Sequence, residues 1–131
     1  MNAVSIDIKD MLVAESALAL TFKKDLFIGM EPTRPDNTVT IFDTPSFPPD
    51  IYMDPEERYY NSACQIRVRH KDYQEGMALA RNIMELLHAR ANEVWDGTTY
   101  TVIMATGEPA WLDMDANNRS RFIININLQR R

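Results

Sequence analysis

The stretch CQIRVRHKDYQEGMALARNIMELLHARAN, residues 64–92, decides the fold because the spacing of its apolar residues changes along it. Cys64, Ile66 and Val68 alternate with polar residues, which predicts a half-buried β-strand. From Tyr73 onward the apolar residues lie three and four positions apart, which predicts a long amphipathic helix to about Asn92. A strand followed closely by a helix is therefore the centre of the predicted fold.

The start of this helix carries a capping signal. Asp72 is a residue type that accepts hydrogen bonds from the first helical N–H groups. Glu75, three residues later, is placed to reach back toward Asp72 as in a capping box, with aspartate in place of serine or threonine. The helix is therefore predicted to begin next to Asp72.

Shorter periodic segments lie on both sides of this stretch. A first helix starting near Ser5 is predicted by the spacing of Ile8, Met11 and Leu12. Apolar runs and alternation predict five further strands: at 26–28, at 38–44, at 99–104, one that begins at Trp111, and one at 122–128. In the strand at 99–104, Tyr100, Val102 and Met104 are predicted to form the apolar face. This order predicts one α+β domain over residues 1–131, with a single mainly antiparallel or mixed β-sheet and two helices packed on one face.

Composition limits the classes of function. The 131 residues include 14 Lys+Arg against 19 Asp+Glu, a formal net charge of −5, which disfavours binding to a phosphate backbone. The single cysteine, Cys64, lies in the alternating strand and is interpreted as a buried small apolar residue. The sequence shows neither a secretory signal at its start nor an apolar run of membrane-spanning length, so we expect a protein that contacts no membrane.

A long loop is predicted at about 45–62. It has four prolines, but also large apolar residues that a solvated loop gains little by exposing: Phe47, Ile51, Tyr52, Met53, Tyr59 and Tyr60. Two interpretations remain open. Either the loop folds back over its own sheet, or it forms an arm that contacts a partner.

Asp113, Asp115 and Asn117 occupy alternate positions, as do the first ligands of a calcium loop. Asn118 stands where such a loop requires glycine, and Ile124 stands where it requires a bidentate glutamate. Turn chemistry is therefore favoured, and a metal-binding enzyme or module using Asp113 and Asp115 is the less favoured alternative.

No pattern of catalytic residues was found. His70 and His88 are not accompanied by a second ligand at metal-binding spacing, and neither lies beside Cys64 in the strand. The glycines are scattered and form no phosphate-binding loop. We therefore expect a protein that is not an enzyme, with no catalytic residue, no metal and no cofactor.

Cationic residues are concentrated on two predicted strands. They are Arg67, Arg69, His70 and Lys71 on one, and Arg119, Arg121, Arg130 and Arg131 around the other. They are expected either to form a solvated sheet surface or to supply the cationic edge of a head-to-tail ring. With the long loop, they give the candidate subunit or partner contacts Phe47, Ile51, Tyr52, Tyr59, Tyr60, Arg67 and Arg69.

Several segments together resemble a known family. They are Leu26-Phe27-Ile28-Gly29, Pro35-Asp36-Asn37-Thr38-Val39, Ile41-Phe42-Asp43-Thr44, Gln65-Ile66-Arg67-Val68-Arg69, Tyr73 before the long helix, and Arg121-Phe122 with Asn125. In order and spacing, from about Leu18 to Leu128, they resemble the minor capsid or tail terminator proteins of long-tailed phages.

The resemblance implies a structural role in the virion. Such a subunit assembles into a ring, usually a hexamer, that terminates the tail tube and contacts the tube protein and the head-completion or stopper protein. DNA passes through the channel without specific binding, and assembly takes place in the host bacterial cytoplasm. A head-side stopper or joining protein of similar size is the nearest alternative.

Overall fold

The computed structural model describes residues 1–54, 56 and 58–131. Two helices pack against a seven-stranded mixed sheet. In chain order the elements are α1 (Val4–Ala14), β1 (Leu26–Ile28), β2 (Thr38–Thr44), β3 (Tyr60–His70), α2 (Tyr73–Leu87), β4 (Arg90–Trp95), β5 (Thr98–Ala105), β6 (Ala110–Met114) and β7 (Ser120–Arg130). The predicted α+β class is confirmed.

The sheet is centred on the pairing of β3 with β7. The strand order is β1-β2-β3-β7-β5-β4, and β6 also pairs with β7. β1 runs parallel to β2, whereas the other pairs are antiparallel. Tyr60 pairs with Arg130 at one end of the β3–β7 ladder and His70 pairs with Ser120 at the other.

One face of the sheet carries the core. Val39, Val68 and Phe122 lie side by side on β2, β3 and β7, and all three are buried. Both helices contribute to the same cluster of buried residues, α1 through residues such as Ile8 and α2 through residues such as Ile83. The helices therefore cover this face, and alternation places Gln65 and Arg67 on the opposite face.

The N-terminal ends of the helices are capped differently. For α2, the Asp72 side chain accepts from the Glu75 N–H at 3.1 Å, as predicted. The reciprocal half of the capping box is absent, because the Asp72 N–H donates to His70 Nδ1 at 3.0 Å. For α1, the cap comes from β2, since Asp43 accepts from both the N–H and the hydroxyl of Ser5.

The predicted end of α2 was wrong by about five residues. The helix ends at Leu87, and residues 90–95 form β4, a strand that the sequence analysis missed. Asp96 and Gly97 both have positive φ and make the tight turn that pairs β4 with β5. Ala89, also at positive φ, turns the chain out of the helix, and its N–H donates to the carbonyl of Ile103.

The predicted apolar face of β5 is also corrected. The register of β5 against β7 shifts between Tyr100 and Val102. Because a shift of one residue exchanges the two faces, Ile103 joins Tyr100 in the core while Met104 becomes exposed. Neither helix, among the residues that the structure describes, is long and apolar enough to cross a bilayer.

Candidate subunit interface

The long loop forms an arm within residues 45–59, of which the structure describes 45–54, 56, 58 and 59, and the arm leaves the sheet between β2 and β3. Near its tip, Ile51 is 96% exposed and Met53 is fully exposed, and Phe47 near its start is 77% exposed. Ile51 and Met53 do not fold back onto the subunit's own sheet, whereas Phe47 borders a groove on that sheet. The arm therefore presents apolar surface of the kind that marks a contact with another protein.

The base of the arm is closed by contacts within the subunit. The Asp50 N–H donates to the Tyr59 carbonyl at 2.9 Å, and Asn61 Nδ2 donates to Asp50 Oδ1 at 3.0 Å. The rings of Tyr52 and Tyr59 meet edge to face with their centroids 5.5 Å apart. Arg131 donates to the Tyr59 hydroxyl at 3.2 Å. These contacts fix where the arm leaves the sheet.

A groove runs beside the start of the arm, on the sheet face opposite the helices. Its volume is about 370 Å³. Phe47, Val102 and Met104 form its apolar lining, and Asn127 and Gln129 contribute amides. The exposed side of β5, created by the register shift, thus adjoins the arm.

The predicted basic surface does not form as one patch. Three arginines and four carboxylates instead converge at the end of the sheet where β7 begins. They are Arg69, Arg119, Arg121, Glu31, Asp36, Asp113 and Asp115, and they are called here the arginine cluster. Arg69 and Arg119 are each only 4% exposed. Arg69, a predicted contact residue, is thus enclosed by its own subunit.

The arginine cluster holds the loop of residues 29–37 against the β6–β7 hairpin. Arg119 Nη1 donates to the Thr33 carbonyl at 2.6 Å, and Arg69 Nη2 donates to the Pro35 carbonyl at 2.8 Å. Arg121 bridges Asp113 at 2.5 Å and Glu31 at 3.2 Å. Sequence reasoning did not assign Glu31 or Asp36 to this group, because they lie more than 30 positions before the arginines that they contact.

The three aspartates of this cluster are held in the ionised form. Hydrogen bonds from Arg121 lower the pKa of Asp113, and a hydrogen bond from Lys71 lowers that of Asp36. For Asp115, burial acts to raise the pKa, but the N–H groups of Arg119 and Asn117 and the Arg119 side chain lower it overall.

These contacts favour turn chemistry over a calcium loop. Asp115 accepts from the N–H groups of Asn117 and Arg119, at 3.0 and 2.9 Å, and Asp113 faces Arg121. Among the described residues, the group with carboxylates close enough to converge on a cation is Asp7, Asp10 and Asp96, which includes neither predicted ligand.

Of the other predicted cations, Lys71 pairs with Asp36 of the cluster at 3.3 Å, whereas Arg67 and Arg130 contact other parts of the chain. Arg67 lies over the ring of Phe42, 4.8 Å from its centroid, on the open sheet face, and Arg130 is buried where it donates to the Asn2 carbonyl at 2.7 Å. Tyr59 and Tyr60 are half-buried at the base of the arm.

The histidines and the cysteine make structural contacts. His88 Nδ1 accepts from the Ala105 N–H at 3.1 Å, which fastens the end of α2 to β5. His70 accepts from Asp72 at the other end of α2. Cys64 is 1% exposed, and burial raises the pKa of its thiol to about 12, which disfavours the nucleophilic thiolate.

Comparisons with known proteins point to one family. The model for the bacteriophage tail terminator protein family matches residues 15–131. Among solved structures, the chain is similar to a chain in the virion of a native gene transfer agent particle, with a TM-score of 0.68. The match has 12% sequence identity and covers 98% of this chain and 94% of that chain, so it supports the fold alone. No curated protein matches the sequence.

Proposed function

This chain belongs to the bacteriophage tail terminator family, and from that premise we propose that it assembles into a ring, a hexamer as usual in such proteins, that terminates the tail tube. It is a phage structural protein and a component of the virion. We further propose that the ring joins the tail to the head-completion complex, that it assembles in the host cytoplasm, and that DNA passes through its channel without specific binding. Residues 1–131 act as one domain in this role.

The single observation that supports a ring is the exposed apolar surface of the arm. Ile51 is 96% exposed and Phe47 is 77% exposed, although the arm that carries them is held by hydrogen bonds at its base. Burying such side chains contributes roughly 1.5–3 kcal/mol each, so an interface that covers several of them is favourable. The proposed contact residues are Phe47, Ile51, Tyr52, Tyr59, Tyr60 and Arg67, whereas Arg69 acts indirectly by holding the 29–37 loop.

A ring follows if the arm contacts a different surface on the next subunit. Such a head-to-tail contact repeats with a constant rotation and closes into a ring when the rotation divides a full turn. Net charge also suits the channel, because a chain of −5 offers little attraction to the phosphates of passing DNA.

The test is the mass of the protein in solution. Light scattering on a sizing column, over a wide concentration range with and without tail tube protein, should detect a closed oligomer that negative stain shows as a ring. Phe47→Ser with Ile51→Ser should weaken it, while circular dichroism and thermal melting stay close to wild type. The control is Val94→Ser, which removes another exposed apolar side chain, on β4.

Two results would contradict the proposal. One is a wild-type protein that stays monomeric at every concentration, both alone and with the tube protein. The other is a ring that binds the head connector but not the tube, which would assign the protein to the head-side stopper role.

A further inference from the structure

We infer that the arm of one subunit docks on a cationic and apolar surface of a second copy, formed by Ile6, Lys9, Val13, Phe22, Lys23 and Lys24. This set is called here the Phe22 surface. The inference rests on the proposed ring and names the two surfaces that meet in it.

The Phe22 surface joins the outer side of α1 to the turn before β1. Ile6, Lys9 and Val13 lie three and four positions apart, so they form one stripe, and Ile6 and Val13 are exposed. The Lys9 ammonium, which also pairs with Asp10 at 2.7 Å, lies 4.8 Å from the centroid of the Phe22 ring, and that of Lys23 lies 5.7 Å from it. An exposed aromatic ring is thus flanked by two cations.

The turn that carries the lysines is held firmly. Thr21 is its centre, since its carbonyl accepts from the N–H groups of Lys24, Asp25 and Leu26, and its own N–H donates to Asp25 Oδ1 at 2.7 Å. Lys23 adopts a φ of 67°, a conformation that glycine or asparagine adopts more easily. The Lys23 side chain is exposed at this position.

The arm is complementary in both charge and apolar character. Between residues 45 and 59 the sequence has four acidic residues and one basic residue, Arg58. Asp54 and Glu56 are exposed and follow the exposed side chains of Ile51 and Met53. Opposite charges around an apolar contact fix the register of two surfaces and speed their association.

The lysine turn and the arm lie apart within one subunit. Leu26, next to the lysine turn, pairs with Val39, and the arm begins at Pro45, six residues farther along the chain, about 20 Å away at the usual rise per residue. The contacts at the base of the arm lie on the other side, toward Asn61 and Arg131. Because donor and acceptor are different surfaces, the contact is head to tail, as a ring requires.

Charge reversal tests the inference. Lys23→Glu with Lys24→Glu should raise the dissociation constant for self-association by at least about tenfold, because two attractive interactions become repulsive. Asp54→Lys with Glu56→Lys should weaken association similarly. The four substitutions together keep the net charge at −5 and should restore association in large part. The control, Arg34→Glu with Arg81→Glu, makes the same charge change away from the Phe22 surface and should have little effect.

The measurement is sedimentation equilibrium at several salt concentrations, with circular dichroism to verify folding. Wild-type association should weaken as salt rises, since the screening length falls from about 10 Å at 0.1 M to about 3 Å at 1 M. Rescue by the combined variant supports the inference. Lysine variants that associate like wild type overturn it but leave the ring proposal standing, whereas a wild type that never associates, alone or with the tube protein, overturns both. Lysine variants that lose only duplex DNA binding assign this surface to nucleic acid instead.

Discussion

Replacing Gly76 with alanine should destabilise the protein, although alanine is the better helix former. Gly76 is buried where α2 crosses the sheet. A β-carbon at this position would lie 2.7 Å from Cε2 of Phe122 and 2.8 Å from the β-carbon of His70. Both distances are shorter than carbon atoms tolerate, so the helix or the sheet has to move.

The magnitude follows from two opposing effects. Alanine is favoured over glycine in a helix by about 1 kcal/mol. Overpacking of a core costs about 1–3 kcal/mol, and we expect the upper part of this range because the Phe122 ring is fully buried and Tyr73 packs edge-on against it. The free energy of unfolding should therefore fall by roughly 1–2 kcal/mol, which lowers Tm by about 3–8 °C for a chain of this size.

Thermal melting and urea unfolding, both followed by circular dichroism, would measure this change. Gly107→Ala is the matched control, because a β-carbon at Gly107 meets no atom within 4 Å. Its stability should stay within about 0.5 kcal/mol of wild type. If Gly76→Ala melted at or above the wild-type temperature, the close contact between α2 and β7 would not constrain this position as argued.

Two further predictions concern the arginine cluster and the β4–β5 turn. The pKa values of Asp36, Asp113 and Asp115 lie below the ordinary value of 3.8, so their contribution to stability is present above that pH and is lost as pH falls through the lowered values. Urea unfolding measured from pH 6 to pH 2 should show this loss of stability only below about pH 4, and the loss should be smaller in Asp113→Asn. If the variant lost as much stability as wild type over this pH range, Asp113 would not contribute as argued. Gly97→Ala should lower the free energy of unfolding by about 1 kcal/mol in the same assay. Gly97 has a φ of 78°, which strains the backbone of any residue with a β-carbon, although a β-carbon there would contact no neighbouring atom. An unchanged free energy of unfolding would show that this backbone strain is absent.

The sequence predicts those elements whose signals are local. The alternation at Cys64, Ile66 and Val68 and the capping residue Asp72 place β3 and the start of α2 correctly. The end of α2 was missed because Leu87 and Ala91 continue the helical spacing and no glycine or proline interrupts it. The helix ends where residues 90–95 pair with β5 instead, and the spacing of apolar residues does not show this pairing.

The charged residues show a similar limit. A sequence shows cations gathered on β3 and β7, but it does not show which carboxylates approach them. Glu31 and Asp36 reach Arg121 and Arg119 because the 29–37 loop folds over the end of the sheet, which no local pattern indicates. The long loop itself was predicted from its prolines and large apolar residues, but the sequence left open whether it folds back over the sheet or projects from it.

The central position of β7 has a consequence for biosynthesis. Its partners on β3 are between 50 and 70 positions earlier in the chain, from His70 with Ser120 to Tyr60 with Arg130. At translation rates of about 5–20 residues per second, β3 exists for roughly 3–14 s before β7 can join it. During that time β2 pairs with one edge of β3. The backbone N–H and C=O groups of the other edge, near the apolar side chains of Ile66 and Val68, are unpaired and can pair with other nascent chains. Yield in the host is therefore expected to depend on the speed of translation and on chaperones that shield this edge.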